Sequence, residues 1–210
     1  MRISKYEHAL LVIEEADSEL VIDPGSYSNL PDLHNVTAVF FTHLHDDHTS
    51  VEHAKKIRQQ FPAAKMFGTQ EVADKLPGMD VQVVYHGDHY EAGPFQLDFY
   101  GDLHQVIHRS IPLVQNVAVM VNSTLYYPGD SYTFPEQKVD VLACPTSAPW
   151  LRISDVIDFL DLVRPRRCFA THNALLSEQG QALQNGRVQQ LVEKHGGEFR
   201  YLQVGDSWQL

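Results

Sequence analysis

Thr42-His43-Leu44-His45-Asp46-Asp47-His48 places three histidines and two aspartates in six consecutive positions. They follow directly on Val36–Thr42, a run too uniformly apolar to have a wet face, which predicts a central β-strand. Side chains of extended backbone alternate sides, so His43, His45 and Asp47 can point toward one region, and His48 joins them where the chain turns into a helix. Imidazole and carboxylate without a nearby thiolate suit zinc, manganese or iron rather than a structural zinc finger. The plain alternative is a solvated turn with incidental histidines. Packing so much polarity against a buried strand without a metal is costly, which favours the ligand reading.

Outward from this stretch the chain alternates strands and helices. Ala9–Ile13 and Leu20–Ile22 read as paired strands, the second ending in the turn Asp23-Pro24-Gly25. Thr49-Ser50-Val51-Glu52 fits a capping box with Thr49 as the cap, opening a helix that sets Ala54, Ile57 and Phe61 on one face before Pro62. Lys65–Gly68 and Val81–Tyr85 read as strands around a short helix at Glu71–Leu76. Phe95, Leu97 and Phe99 alternate with polar residues, as in a half-buried strand. Val117–Val121 and Leu125–Tyr127 make a hairpin, and Val139–Cys144 is a further buried strand. Ser154 is expected to cap a helix running to Pro165, Arg167–Thr171 is strand, and Glu178–His195 is helical. Phe199–Val204 and Ser207–Leu210 complete the strands. Helices between strands in both parts of the chain suggest two mixed sheets packed face to face with helices outside, as one domain over residues 1–210.

Composition restricts the partners. The 210 residues carry 16 Lys+Arg against 27 Asp+Glu, a formal charge of −11, so the row of cations that a nucleic-acid binder needs is missing. No apolar run approaches a membrane span, and the first one is followed at once by Glu14 and Glu15, unlike a secretory signal; a soluble cytoplasmic protein is expected. Cys144 and Cys168, both in apolar runs, read as small core residues.

The spacing His43, His45, Asp47, His48 resembles the HxHxDH motif of the metallo-β-lactamase superfamily. The chain is also similar to that superfamily at Gly101-Asp102-Leu103-His104, at Tyr127-Pro128-Gly129-Asp130-Ser131 and at Phe169-Ala170-Thr171-His172, with Asp23-Pro24-Gly25 closing the first strand pair. The nearest likeness is to its small bacterial hydrolases, including the branch related to L-ascorbate-6-phosphate lactonase. The resemblance implies a four-layer αβ/βα sandwich (α+β) built of two pseudo-equivalent halves, and two divalent metal ions, zinc first, with manganese or iron open. It also implies the ligand roles: His43, His45 and His104 at one metal, Asp47, His48 and His172 at the other, and Asp130 bridging.

The activity so implied is a dinuclear hydrolase using a metal-bound hydroxide on a small ester, lactone, amide or phosphoester, with Asp47 as the catalytic carboxylate that orients the hydroxide and takes up its proton. Two alternatives stand beside it: a mononuclear iron oxygenase acting on persulfides, and a non-catalytic metal-binding module. His108, Trp150 and Tyr132 are candidate substrate contacts. His8 matches an N-terminal histidine of the related hydrolases, although Glu7 stands where they carry glycine. His86 and His89 read as turn residues, and Asp46 is expected to face solvent. The partner is a small-molecule substrate, with no nucleic acid and no membrane; a homodimer is left open.

Overall fold

A computed structural model describes all residues, Met1–Leu210. Fourteen strands form two sheets of seven. The first takes β1 (Arg2–Lys5), β2 (Leu11–Glu15), β3 (Ser18–Ile22), β4 (Val36–Phe41), β5 (Lys65–Gly68), β6 (Val81–Val83) and β14 (Ser207–Gln209), in the order β14-β1-β2-β3-β4-β5-β6. The second takes β7 (His89–Ala92), β8 (Phe95–Tyr100), β9 (Ala118–Val121), β10 (Leu125–Tyr127), β11 (Val141–Pro145), β12 (Arg167–Thr171) and β13 (Glu198–Phe199), in the order β13-β12-β11-β10-β9-β8-β7. Four helices cover them: α1 (Val51–Gln60), α2 (Gln70–Lys75), α3 (Ile153–Val163) and α4 (Glu178–Lys194). No helix is long and apolar enough to cross a membrane.

The apolar strands are uniform because both of their faces are covered. Leu11, Ile13, Ala38 and Phe40 point into a core between the sheets, while Leu10, Val12, Val39 and Phe41 point the other way, against Ala54 and Ile57 of α1. In the second sheet Val119, Val121, Val141 and Ala143 face the inter-sheet core. Their neighbours Ala118, Met120, Leu142 and Cys144 pack on Phe159 and Leu160 of α3 and on Val188 and Val192 of α4. Both cysteines are free and buried. The layers are therefore helix, sheet, sheet, helix, the expected sandwich.

Read across from β14, the first sheet has three antiparallel pairings followed by three parallel ones. Read from β7, the second sheet has the same sequence of pairings. Strands β1, β3, β4 and β5 therefore run the same way, as do β8, β10, β11 and β12. In open α/β sheets the carboxyl ends of such strands are where ligands collect. Here β1 leads to His8, β3 to Asp23, β4 to His43, β8 to His104, β10 to Asp130 and β12 to His172.

Several local expectations are corrected. Ser50, not Thr49, caps α1 by accepting from the His53 N–H, because the Thr49 hydroxyl is committed to the His43 carbonyl at 2.6 Å. Arg152 occupies the cap of α3 without a capping bond from its side chain to the helix backbone, and Ser154 lies inside the helix, bonded to Asp155. His89 is in strand β7, paired opposite Asp98, rather than in a turn. Residues 200–204 are not strand: β13 stops at Phe199, with only two register pairs to β12. β1 was not anticipated, since its Arg-Ile-Ser-Lys has one apolar residue and its partner β14 comes from the other end of the chain.

Gly25 marks where the fold and the histidine loop meet. A Cβ built on it would stand 1.7 Å from the Asp47 carbonyl oxygen, a backbone atom that cannot swing aside. Gly25→Ala is expected to cost about 1–3 kcal/mol in urea unfolding, as an overpacking change, and to weaken metal uptake as Asp47 and His48 shift.

Candidate metal centre

Four imidazoles are fixed in one tautomer by partners that can only accept or are already donating. The Asp23 carboxylate, fully buried at the end of β3, accepts from His48 Nδ1 at 2.7 Å, so in the neutral imidazole the proton stays on Nδ1 and Nε2 is the nitrogen left to bind a metal. The Thr42 hydroxyl donates to Asp23 Oδ2 at 2.8 Å, so it can only accept from His43 Nδ1, at 2.9 Å. His104 Nδ1 donates to the Gln105 carbonyl, and His172 Nδ1 to the Ser147 carbonyl. Orienting partners of this kind are what make a histidine a directed metal ligand.

The free nitrogens converge. Nε2 of His48, His104 and His172, together with Asp130 Oδ1, are buried atoms with no hydrogen-bond partner. Such atoms are costly unless something satisfies them, and three imidazole nitrogens beside a carboxylate suit a cation, with protons in the metal-free protein giving way to a metal ion. Three overlapping groups have ligand atoms all within 4.8 Å of one another: His43, His45 and His104; His8, Asp47, His48 and His172; and His43, His48 and Asp130. Asp130 joins the groups, its oxygens lying 3.4 Å from His104 Nε2, 3.2 Å from His48 Nε2 and 3.1 Å from His172 Nε2. These residues fit one or more divalent ions, and every residue of the motif-based ligand set is brought together.

Backbone geometry places these groups. Gly129 takes φ +61°, and a Cβ there would clash with the Thr42 side chain and with Asn116 Oδ1, so only glycine lets β10 hand Asp130 to the centre. Asn116 accepts from the Asp130 N–H and donates to the Pro128 carbonyl, holding that turn. His8 and His172 both have φ near +57°, and the His172 N–H donates to the His8 carbonyl at 2.8 Å. Strained backbone of this kind persists only where the surroundings over-determine it.

His8 belongs to the site. It is 1% exposed, and its Nε2 donates to Asp47 Oδ2 at 3.0 Å. The N-terminal likeness was its only sequence signal. Trp150, also nearly buried, donates its indole N–H to Asp130 Oδ2 at 2.9 Å, and Tyr132 packs edge-on against Trp150. His108 lies on an exposed loop after His104, its Nδ1 taken by the Ser110 N–H. Asp46 faces solvent and pairs with Lys75. His86 accepts from the Gly101 N–H, away from the cluster. Sequence reading missed the buried role of Asp23, which a turn signal alone could not show.

The electrostatics is strongly coupled. Burial pulls His43 well below the ordinary histidine value, helped by repulsion from His48. Burial would also lower His48, but Asp130 and Asp23 outweigh it and hold His48 well above that value. For His172 burial is likewise outweighed by Asp130 and Asp47, leaving it raised to about 9. Asp47 feels burial upward, yet His172, whose Nε2 lies 3.6 Å away, and the hydrogen bond from His8 hold it well below the usual carboxylate range.

The family is now decided. Residues 2–172 match the model of the Lactamase_B_3 family, the "beta-lactamase superfamily domain", and the chain belongs to it. Protein Rv0786c of Mycobacterium tuberculosis is 30% identical over 198 residues, covering 91% of this chain and 93% of that one. Among solved structures, Igni18, a metallo hydrolase from Ignicoccus hospitalis, superposes with a TM-score of 0.74 at 18% identity, over 100% of this chain and 98% of its own. The metallo-β-lactamase fold protein YhfI from Bacillus subtilis gives 0.70 at 16%, over 99% and 98%. CmlA, a diiron β-hydroxylase from Streptomyces venezuelae, gives 0.72 at 12%, with this chain spanning 54% of its length. These structural likenesses speak for the fold.

Two outcomes follow from the geometry. In the metal-free protein His48 and His172 hold protons at pH 7, since both are raised, and ligation must displace them. Metal loading in weak buffer is therefore expected to release protons, and affinity to rise with pH through the range near 9 where His172 titrates, measured by calorimetry in buffers of different ionisation enthalpy. Asp23→Asn keeps the shape but removes the charge facing His48; a metal affinity lower by about 10–100-fold is expected in chelator competition.

Proposed function

We propose that this protein is a dinuclear metal-dependent hydrolase acting on a small ester, lactone, amide or phosphoester. One observation carries the reading: two donor groups, one of three imidazoles and one of mixed imidazole and carboxylate, share Asp130 between them. His43, His45 and His104 would hold one ion, Asp47, His48 and His172 the second, and Asp130 both. The imidazole-rich set suits zinc first, with manganese and iron next. Two such ions, when bound, supply an activated water near neutral pH and a Lewis acid for a carbonyl or phosphoryl oxygen.

The remaining work falls to the chain itself. Asp47 is the carboxylate placed to orient an attacking water and take its proton, since its side chain remains partly accessible while the histidines around it are closed off. His8, by donating to Asp47 Oδ2, fixes the direction of that carboxylate. Trp150 fixes Asp130 in the same way, by donating to its Oδ2. Asp23 keeps His48 pointed inward, and its three other donors, the Thr42 N–H and hydroxyl and the Tyr127 hydroxyl, keep Asp23 itself from turning.

Elemental analysis of the purified protein is expected to find two zinc or manganese ions per chain, with turnover in a panel of lactones, esters and phosphodiesters. Asp47→Ala is expected to keep its circular dichroism spectrum and lose about 10²–10⁴ in kcat. A metal-loaded Asp47→Ala protein at full rate removes Asp47 from the mechanism. One iron per chain with sulfur-dependent oxygen uptake replaces the hydrolase by an oxygenase, and failure to take up metal after reconstitution overturns both.

A further inference from the structure

Beyond His104 the chain leaves the sheet and returns as an arm. Leu103 pairs with Gln115, and the His104 N–H donates to the Val114 carbonyl at 3.0 Å, closing the base of the loop 104–114. At the tip the Ile111 N–H donates to the His108 carbonyl at 2.9 Å, so the arm has a defined turn. Three apolar side chains on it are unusually open: Val106 is 59% exposed, Ile111 46% and Leu113 44%. With Arg109 they line a cavity of about 470 Å³ whose wall on the metal side is His45 and His104. Exposed apolar groups gathered in one place, beside a catalytic centre, mark a surface that meets a ligand.

Charge narrows what that ligand is. Arg109 is the one charged residue in the lining. Arg2, Arg152, Arg166, Arg167 and Arg200 are ion-paired, whereas Arg109 makes no ion pair. In a chain of net charge −11 an unpaired guanidinium at the mouth of the site is available to an incoming anion.

We propose that the 104–114 arm is the substrate-recognition element, and that the substrate joins an apolar chain to an anionic end: the chain lies along Val106, Ile111 and Leu113, the anion meets Arg109, and the scissile group reaches the centre beside His45 and His104. The proposal deepens the hydrolase reading and rests on it. It sets the preferred substrate apart from cations, for which the cavity offers no opposing charge.

The test uses thiols that anchor at the metal, so that no turnover is needed. Cobalt-loaded protein is titrated with 2-mercaptoethanol, 1-hexanethiol, and 3-mercaptopropionate, 6-mercaptohexanoate and 8-mercaptooctanoate, reading the thiolate-to-cobalt absorption. In the wild-type protein each methylene that lies on the arm is expected to strengthen binding about two- to fourfold. Arg109→Gln is expected to weaken at least one long mercaptocarboxylate about three- to tenfold and leave hexanethiol unchanged. The double variant Ile111→Ser, Leu113→Ser is expected to weaken all the long probes and leave 2-mercaptoethanol unchanged. These are exposed positions, so the fold is not at stake. Cobalt uptake with affinities indifferent to both variants, or changed equally for every probe, overturns this proposal alone. No cobalt uptake overturns the metal-centre reading and this one with it.

Discussion

A single buried carboxylate, Asp23, organises the region where the two sheets meet. It accepts from the Thr42 N–H and hydroxyl, from the Tyr127 hydroxyl and from His48 Nδ1. Thr42 directly follows β4 and Tyr127 ends β10, so one side chain ties a strand of each sheet to the histidine loop. Burying an ionised carboxylate is affordable only when its lone pairs are filled, and here four donors fill them. His43 depends on it at one remove, because the Thr42 hydroxyl, having donated to Asp23, must accept from His43. Were this carboxylate absent, the tautomers of both histidines would be free to change.

The architecture explains why donors scattered over the chain arrive together. In each sheet the strands that feed the centre run in one direction, and their carboxyl ends open on the same edge. Glycine is then required where two backbones or a backbone and a side chain approach closely, at Gly25 against Asp47 and at Gly129 against Thr42. The same crowding leaves His8 and His172 in left-handed backbone, braced against each other by a hydrogen bond. Packing and ligand direction are thus one problem with one solution.

Much of this could be read from the residues. Strands buried on both faces announce themselves, as Val36–Thr42 and Val139–Cys144 do, because an unbroken apolar run has few other uses. The residues that the structure gathers were legible as a cluster because they are chemically unusual and follow predicted strands. What stayed hidden depends on neighbours far away in sequence. β1 is recognisable only beside β14, and Asp23 looks like any Asp-Pro-Gly turn until Tyr127 and His48 are placed around it. The cap of α1 moved by one residue because Thr49 found a better partner in the His43 carbonyl. Trp150 is a candidate substrate contact by sequence; that its N–H is spent on Asp130 is a matter of three-dimensional register, which no spacing encodes.

The candidate ligands run from His43 to His172 along the chain, and the groups they form draw on both sheets. An ion held there would tether the two sheets, closing a long loop of the chain much as a disulfide would in an oxidising compartment. A metal at a thousandfold excess over its dissociation constant adds about 4 kcal/mol to stability by mass action, comparable to the whole margin of many small proteins. The cell's supply of the ion would then govern more than rate. It would set how long each copy survives proteolysis, so scarcity of the metal would be felt first as a falling amount of the protein.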